Sequence, residues 1–214
     1  ILAGENKKDA IINFKGGLNV IAGASDTGKS FAFECIDFAL GSSSNPKTVP
    51  EMKGYRSVFL EIEDIGQEEI FTLRRNFSED EKNEIFIYYS NYQEKDAAEV
   101  EKLSVTHNAK KSLSKKLLNC CDCTYKYVMK NTKGDTRAFT FRSFSPLIMI
   151  NELRITARHS PIYHTDSRGS TFATPARTAF KTVISGIDYK KEEKKENTEI
   201  IKAKLKGKIE QLSQ

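Results

Sequence analysis

The stretch Leu18-Asn19-Val20-Ile21-Ala22-Gly23-Ala24-Ser25-Asp26-Thr27-Gly28-Lys29-Ser30-Phe31-Ala32-Phe33-Glu34-Cys35-Ile36-Asp37-Phe38-Ala39-Leu40-Gly41 decides the fold class of this chain. Residues 18–22 are an apolar run of strand length. Residues 23–30 meet the pattern G-x-x-x-x-G-K-[ST]. Residues 31–40 are apolar nearly all round, with only Glu34 and Asp37 charged, which predicts a buried helix that Gly41 caps. A strand, a glycine-rich loop and a helix in that order form a phosphate cradle. Loop N–H groups converge on the anion, the helix dipole adds positive potential, and the glycines allow close approach. The pattern assigns Gly23, Ala24, Ser25, Asp26, Thr27, Gly28, Lys29 and Ser30 to a nucleoside triphosphate, ATP with Mg²⁺, and the following Phe31 is grouped with them. Lys29 is expected on the β- and γ-phosphates and Ser30 on the metal.

Working outward, residues 11–14 (Ile-Ile-Asn-Phe) and 18–22 read as two strands joined by the turn Lys15-Gly16-Gly17. Residues 57–65 alternate, with Val58, Leu60 and Ile62 on one face and Glu61 and Glu63 on the other. Residues 70–75 and 84–90 follow as further apolar runs, which predicts an antiparallel β meander. Ala109, Leu113, Leu117 and Cys120 recur at helical spacing. Residues 138–141 and 147–150 read as strands, the second a buried one that stops at Asn151-Glu152. Thr174 and Pro175 mark a helix start, with Phe172, Ala176, Ala179, Phe180, Val183 and Ile187 on one face and Gly186 near its end. From Tyr189 the chain is rich in Lys and Glu, with sparse Ile200, Ile201, Leu205, Ile209 and Leu212. This reads as one exposed helix of a coiled coil that requires a partner.

Length allows one sizeable core with an appendage: 214 residues, 38% hydrophobic and 29% charged. No run of eighteen apolar residues exists, so no membrane span is expected, and a cytoplasmic location follows from that and from the cysteines. Cys120, Cys121 and Cys123 crowd together and Cys35 stands apart. They lack the paired spacing of a zinc site and are expected as thiols. The first residue is Ile1 rather than Met, as expected of a piece of a longer protein. Net charge is +5, with acids gathered over 61–84 and bases over 102–116 and again at Arg154, Arg158, Arg168, Arg177 and Lys181. A basic face for a polyanion and ordinary solvated charge both fit this distribution.

Hydrolysis needs an acid near Mg²⁺ and a group that orients water. Glu61, Glu63 and Asp64 end a half-exposed strand. Asn151 and Glu152 end the run 147–150, where Asn151 is a candidate for the Mg²⁺ site and Glu152 for the catalytic base beside Lys29. A structural role for Glu152 fits equally.

The residues 13–41, with the run Phe14-Lys15-Gly16-Gly17-Leu18-Asn19-Val20-Ile21 and the helix ending Leu40-Gly41, resemble the start of SMC, RecN and RecF-type ABC-class ATPases. The resemblance implies an α/β P-loop NTPase: an N-terminal head lobe over 1–187 carrying the β meander, and the start of a coiled-coil arm over 188–214. It implies an ATPase completed by the C-terminal half of the same head, which would carry the signature motif and the acidic strand. No LSGG-like signature occurs in these residues. It further implies a second copy sandwiching ATP, and action on DNA or an effector protein, in repair or antiviral defence. By position Met149-Ile150-Asn151-Glu152 takes the place of the family's glutamine loop, although no Gln is there. Lys53 and Arg56 fall where the family places a basic residue near the phosphates. The phosphate loop departs from the family's Pro-Asn-Gly-Ser run at Ala24-Ser25-Asp26-Thr27. Two other readings stay open: a self-sufficient P-loop NTPase using Glu152, and a nucleotide-regulated DNA-binding or scaffold module.

Overall fold

A computed structural model describes residues 1–78, 80–81, 83–107, 109–156, 170–189 and 206. The chain divides into two compact units, Ile1–Thr124 with Thr140–Thr156, and Tyr125–Phe139 with Ala157–Gln214.

The first unit is built on a five-stranded antiparallel sheet. Its strands are β1 (Leu2–Ala3), β2 (Ser57–Asp64), β3 (Glu69–Asn76), β4 (Glu84–Tyr88) and β5 (Val100–Ser104), neighbours in that order. The expected meander is β2 to β4, in register through Leu60–Leu73–Ile87 on one face and Phe59–Arg74–Phe86 on the other. Leu73, Ile85, Ile87 and Leu103 are buried on the first face. On the second, the Arg74 guanidinium lies 5.9 Å and 5.8 Å from the ring centres of Phe59 and Phe86, and Tyr92 meets Phe59 edge-on. β1 and β5 were not legible in the sequence. β1 is two residues long, and β5 is Val-Glu-Lys-Leu-Ser with only Leu103 buried.

Helix α1 (Lys29–Ala39) packs Cys35, Phe38 and Ala39 on Val58, with Leu2, Phe31, Leu60 and Phe77 around them. It ends as the sequence predicts. Gly41 takes φ +93°, its N–H donates to the Phe38 carbonyl, and the Ser42 N–H donates to the Asp37 carbonyl. This pair of bonds satisfies two carbonyls of the last turn and requires a left-handed residue between them. Helix α2 (Leu113–Cys120) starts later than the apolar spacing suggested, because the Ser112 hydroxyl accepts the Lys115 N–H and caps it there. Asp122, at φ +49°, ends α2 in the same way as Gly41 ends α1.

Four expected strands are not formed as predicted. Over residues 138–141, Ala138 ends a short strand of the second unit and Phe141 opens helix α3 (Phe141–Ile148). The predicted buried strand over 147–150 is the last turn of α3 and its exit, with Ile148 exposed. The cause is local. Thr140 and Ser143 form a capping box, and the Phe141 N–H is held by the Ser114 hydroxyl of α2 at 2.7 Å. A short apolar run cannot by itself distinguish strand from buried helix. Residues 11–14 and 18–22 carry no strand pairing either. Among the described residues, none from 11 to 22 makes a backbone–backbone hydrogen bond. The turn between them does form. Asn19 accepts the Lys15 N–H and donates to the carbonyls of Lys15 and Gly17. A short helix α4 (Glu152–Ile155) closes this unit.

The second unit pairs β6 (Tyr127–Met129) with β7 (Thr136–Ala138) and sets helix α5 (Ser170–Ser185) beside β6. Thr178 donates to the Met129 carbonyl, and the Asp188 carboxylate accepts the N–H groups of Lys126 and Tyr127. The predicted start at Thr174-Pro175 is corrected: α5 begins at Ser170 and Pro175 lies inside it. Gly186, at φ +71°, ends it as expected. The arm expected over 188–214 lies outside the described residues except for 188, 189 and 206, as do Arg158 and Arg168. Among the described residues no helix is long and apolar enough to cross a membrane.

Candidate functional site

The glycine-rich loop takes the shape its residue types require. Asp26 stands at φ +60° and Gly28 at φ +82°, so the backbone curls twice into the left-handed region ahead of α1. Gly28 is the N-cap of α1 and no side chain caps the helix, nor does any acid sit in its first turn. The leading N–H groups of α1 therefore lack the side-chain acceptor most helices supply, and they form a positive, donor-lined terminus. Gly23 is confined by the loop itself: a Cβ there would meet Thr27 Oγ1 at 2.9 Å. Thr27 Oγ1 in turn donates to the Ala24 carbonyl at 2.8 Å, closing the cradle from beneath.

Lys29 folds back over this cradle. Its Nζ donates to the Gly23 carbonyl at 3.0 Å, to the Ala24 carbonyl, and to Thr27 Oγ1 at 3.2 Å. Its ammonium thus sits at the rim of the loop, held by groups weaker than a phosphate oxygen. Ser30, one residue into α1, is exposed, and its hydroxyl is free to take a Mg²⁺ ligand position. The donor set fits a magnesium triphosphate: uncapped amides, one ammonium and one hydroxyl at a helix N-terminus. Phe31 differs from the loop residues, because its side chain is partly buried against the core cluster of Cys35, Phe38, Ala39 and Val58.

Asp26 is the one unfavourable group. Its left-handed backbone would suit glycine, and its carboxylate adds a negative charge among groups that would receive phosphates. A charge pair about 4 Å apart in water is worth about 1 kcal/mol, about fivefold in affinity. Asp26→Gly is expected to tighten ATP binding by that factor with little change in thermal stability, as read by nucleotide titration and a melting curve.

The other candidate residues lie elsewhere. Arg56 precedes β2, and its side chain is exposed and paired with Glu5. Asn151 opens α4 with its carbonyl accepting the Ile155 N–H, and Glu152 is exposed at the first position of that helix. Among the described residues no carboxylate from outside the loop is hydrogen-bonded to it. The basic gathering over 102–116 is largely spent on ion pairs, Lys102 with Glu84, Lys111 with Glu101 and Lys116 with Glu69. The cysteines are free thiols. Burial pushes Cys35 up to about 12, and burial with a hydrogen bond to Asp64 pushes Cys120 up to about 11. Among the described residues no group of three or more His, Cys, Asp or Glu is arranged to hold a metal.

One residue that supports the site went unnoticed in the sequence. Arg75, 1% exposed, points from β3 into the core. Its Nη1 donates to the carbonyls of Phe38 at 2.5 Å and Ser42 at 2.7 Å, and its guanidinium lies 3.7 Å from the Phe38 ring centre. Burial, with Arg142 nearby, lowers its pKa to about 10. Arg75 thereby anchors the far end of the helix whose near end forms the cradle. The parity of β3 was the available signal, since Phe71, Leu73 and Arg75 share the inward face.

Neither a curated protein nor a solved structure matches the chain. A family model does, described as an AAA domain, and it covers residues 6–214, from just ahead of the phosphate loop through to the last residue. The protein therefore belongs to the AAA domain family of P-loop ATPases, which bind ATP with Mg²⁺.

Proposed function

We propose that these residues form the N-terminal part of an SMC-like ATPase head, in which ATP·Mg²⁺ on residues 23–30 acts as an interface component. The observation that carries this reading is the bare segment leading into the loop. Residues 18–22 are apolar and unpaired, with Leu18 92% and Val20 76% exposed, and residues 11–14 expose Ile11, Ile12 and Phe14 beside them. Bare apolar side chains are costly in water, and unpaired strand-forming backbone is a template for pairing; a neighbouring strand would cover the first and use the second. The C-terminal half of the same head would supply those strands together with the water-orienting group. A second copy would close over the triphosphate, present before hydrolysis and weakened after it. DNA, or an effector protein, is the target on which such heads would act, in repair or defence, in the cytoplasm.

The competing self-sufficient reading needs residues 147–152 as a magnesium strand, whereas 147–148 end α3, 149–151 form its exit and Glu152 opens α4. The reading as a nucleotide-regulated DNA-binding or scaffold module gains less from residues 102–116 than their charge suggests, because three of the five lysines there pair with Glu84, Glu101 and Glu69. The test is turnover. The 214-residue chain is expected to bind ATP weakly and to hydrolyse little. Robust hydrolysis by this chain alone, abolished by Lys29→Ala, sinks the split-head reading; if Glu152→Gln also abolishes it while binding persists, the self-sufficient reading takes its place.

A further inference from the structure

β5 ends the five-stranded sheet, and among the described residues β4 is its only strand partner. The register between the two fixes which backbone groups of β5 are spent. The Tyr89 N–H donates to the Glu99 carbonyl, so Glu99, Glu101 and Leu103 are the residues that bond to β4. Val100, Lys102 and Ser104 alternate with them and turn their N–H and C=O groups to the other side. There the Ser104 N–H is answered by the Lys111 carbonyl, beside a parallel bridge between Ser104 and Ser112. The chain leaves the edge at once, because the Ser112 cap starts α2 at Leu113. Among the described residues no backbone group answers Val100 or Lys102. The edge is thus closed at one end and open over two outward-facing residues.

Natural sheets blunt such edges with a projecting charge, a proline or a bulge. β5 contains no proline and pairs with β4 without a break from Val100 to Ser104. Its one lysine is drawn back toward β4, where Lys102 Nζ donates to Glu84 Oε1 at 2.6 Å. An open groove of about 620 Å³ borders the edge, lined by Tyr89, Glu99, Val100, Glu101, Lys102 and Lys111. That volume is in the range of ligand clefts. The approach to β5 is acidic. Glu94 and Glu99 are exposed and form no ion pair among the described residues, and the Asp96 side chain is 91% exposed with Lys95 at 3.9 Å. Glu101, by contrast, is engaged by Lys111 and by the Tyr89 hydroxyl.

We propose that the outer edge of β5 is a docking site for an extended, lysine- or arginine-bearing segment of a partner protein, which joins the sheet as a further strand. The backbone of the segment exchanges hydrogen bonds with Val100 and Lys102, the mode in which main-chain pairing supplies affinity and side chains supply selection. Its basic side chains answer Glu94, Asp96 and Glu99. Solvated acids beside a blunted edge would attract the same segment through charge alone, and would make no demand on its backbone.

An acetylated and amidated hexapeptide of alternating lysine and valine, titrated into the full 214-residue chain, separates the two. Two controls accompany it: the same peptide methylated at every backbone nitrogen, which keeps the charge and removes the donors, and a peptide with glutamate in place of lysine. The unmodified peptide is expected to bind about tenfold or more tightly than either control, and to slow amide exchange at Val100 and Lys102. Val100→Pro removes one outward N–H and no bond to β4, a position where a sheet edge tolerates proline, and it is expected to cost about tenfold in affinity. Should that variant not fold, the three peptides on the wild type decide. Equal binding of the methylated peptide means attraction by charge alone and overturns the proposal. So does equal binding of the glutamate peptide, or binding that leaves the amides of Val100 and Lys102 exchanging as before, or no binding of the lysine peptide at all.

Discussion

Lys29→Ala raises the dissociation constant for ATP·Mg²⁺ by about 10- to 100-fold, from the 1.5–3 kcal/mol typical of a hydrogen bond to a charged group. The ammonium now rests on two loop carbonyls and a hydroxyl, all neutral acceptors. A phosphate oxygen offers a full charge at the same rim, so the ammonium gains by turning outward when the triphosphate arrives. Removing it leaves the uncapped amides of α1, which is why binding weakens rather than vanishing. Stability without nucleotide is expected to change little, because the loop is exposed and Lys29 anchors no core residue. Titration with a fluorescent ATP analogue reads the first effect. The second is read from the melting temperature, which ATP should raise in the wild type far more than in the variant. Equal affinities for the two proteins would remove Lys29 from the site.

Phe38→Ala lowers stability by about 3–5 kcal/mol, the usual cost of deleting a buried aromatic ring. In a domain of this size that is a fall of about 6–20 °C in melting temperature. The ring is fully buried between α1 and the sheet, stacks on Phe77 at 5.7 Å, and is the surface on which the buried Arg75 guanidinium lies. Its loss leaves a cavity and strips a buried cation of its aromatic neighbour at once. The end of α1 then loosens, and ATP binding is expected to weaken along with stability. Leu18→Ser is the contrast. Leu18 is as apolar but 92% exposed, so the change should stay within about 0.5 kcal/mol in this chain. A large loss for Leu18→Ser would mean that residues 18–22 are buried after all and would remove the main support for a missing strand partner.

The legible parts of this chain are those whose chemistry is local. The spacing of Gly23, Gly28, Lys29 and Ser30 announced the cradle, and the alternation along 57–65 with the apolar runs 70–75 and 84–90 announced the meander. Gly41 announced the end of α1, because no other residue type takes φ +93° at so little cost. The apolar run 147–150 misled because four apolar residues fit the end of a helix as well as a strand. What decided between them was the hydroxyl of Ser114, 27 residues away in sequence from the Phe141 amide it accepts. Pro175 misled for a similar reason. Its fixed φ suits a first turn but is tolerated further in, where α5 continues through it.

Residue types and their spacing by themselves determined that this protein has a phosphate loop opening a helix beside an antiparallel sheet; that the helix buries only Cys35, Phe38 and Ala39, rather than its whole surface, came from the packed chain. Glycine, lysine and a serine hydroxyl act over a few residues, and backbone geometry alone brings them together. Only the tertiary structure decided what holds that helix and what the segment leading into the loop lacks. Arg75 and Arg142 reach α1 across 37 and 105 positions of sequence, distances over which periodicity carries no information. The bareness of residues 11–14 and 18–22 is likewise a property of their surroundings. An apolar run shows that burial is wanted, and only the packed chain shows whether a neighbour is there to provide it.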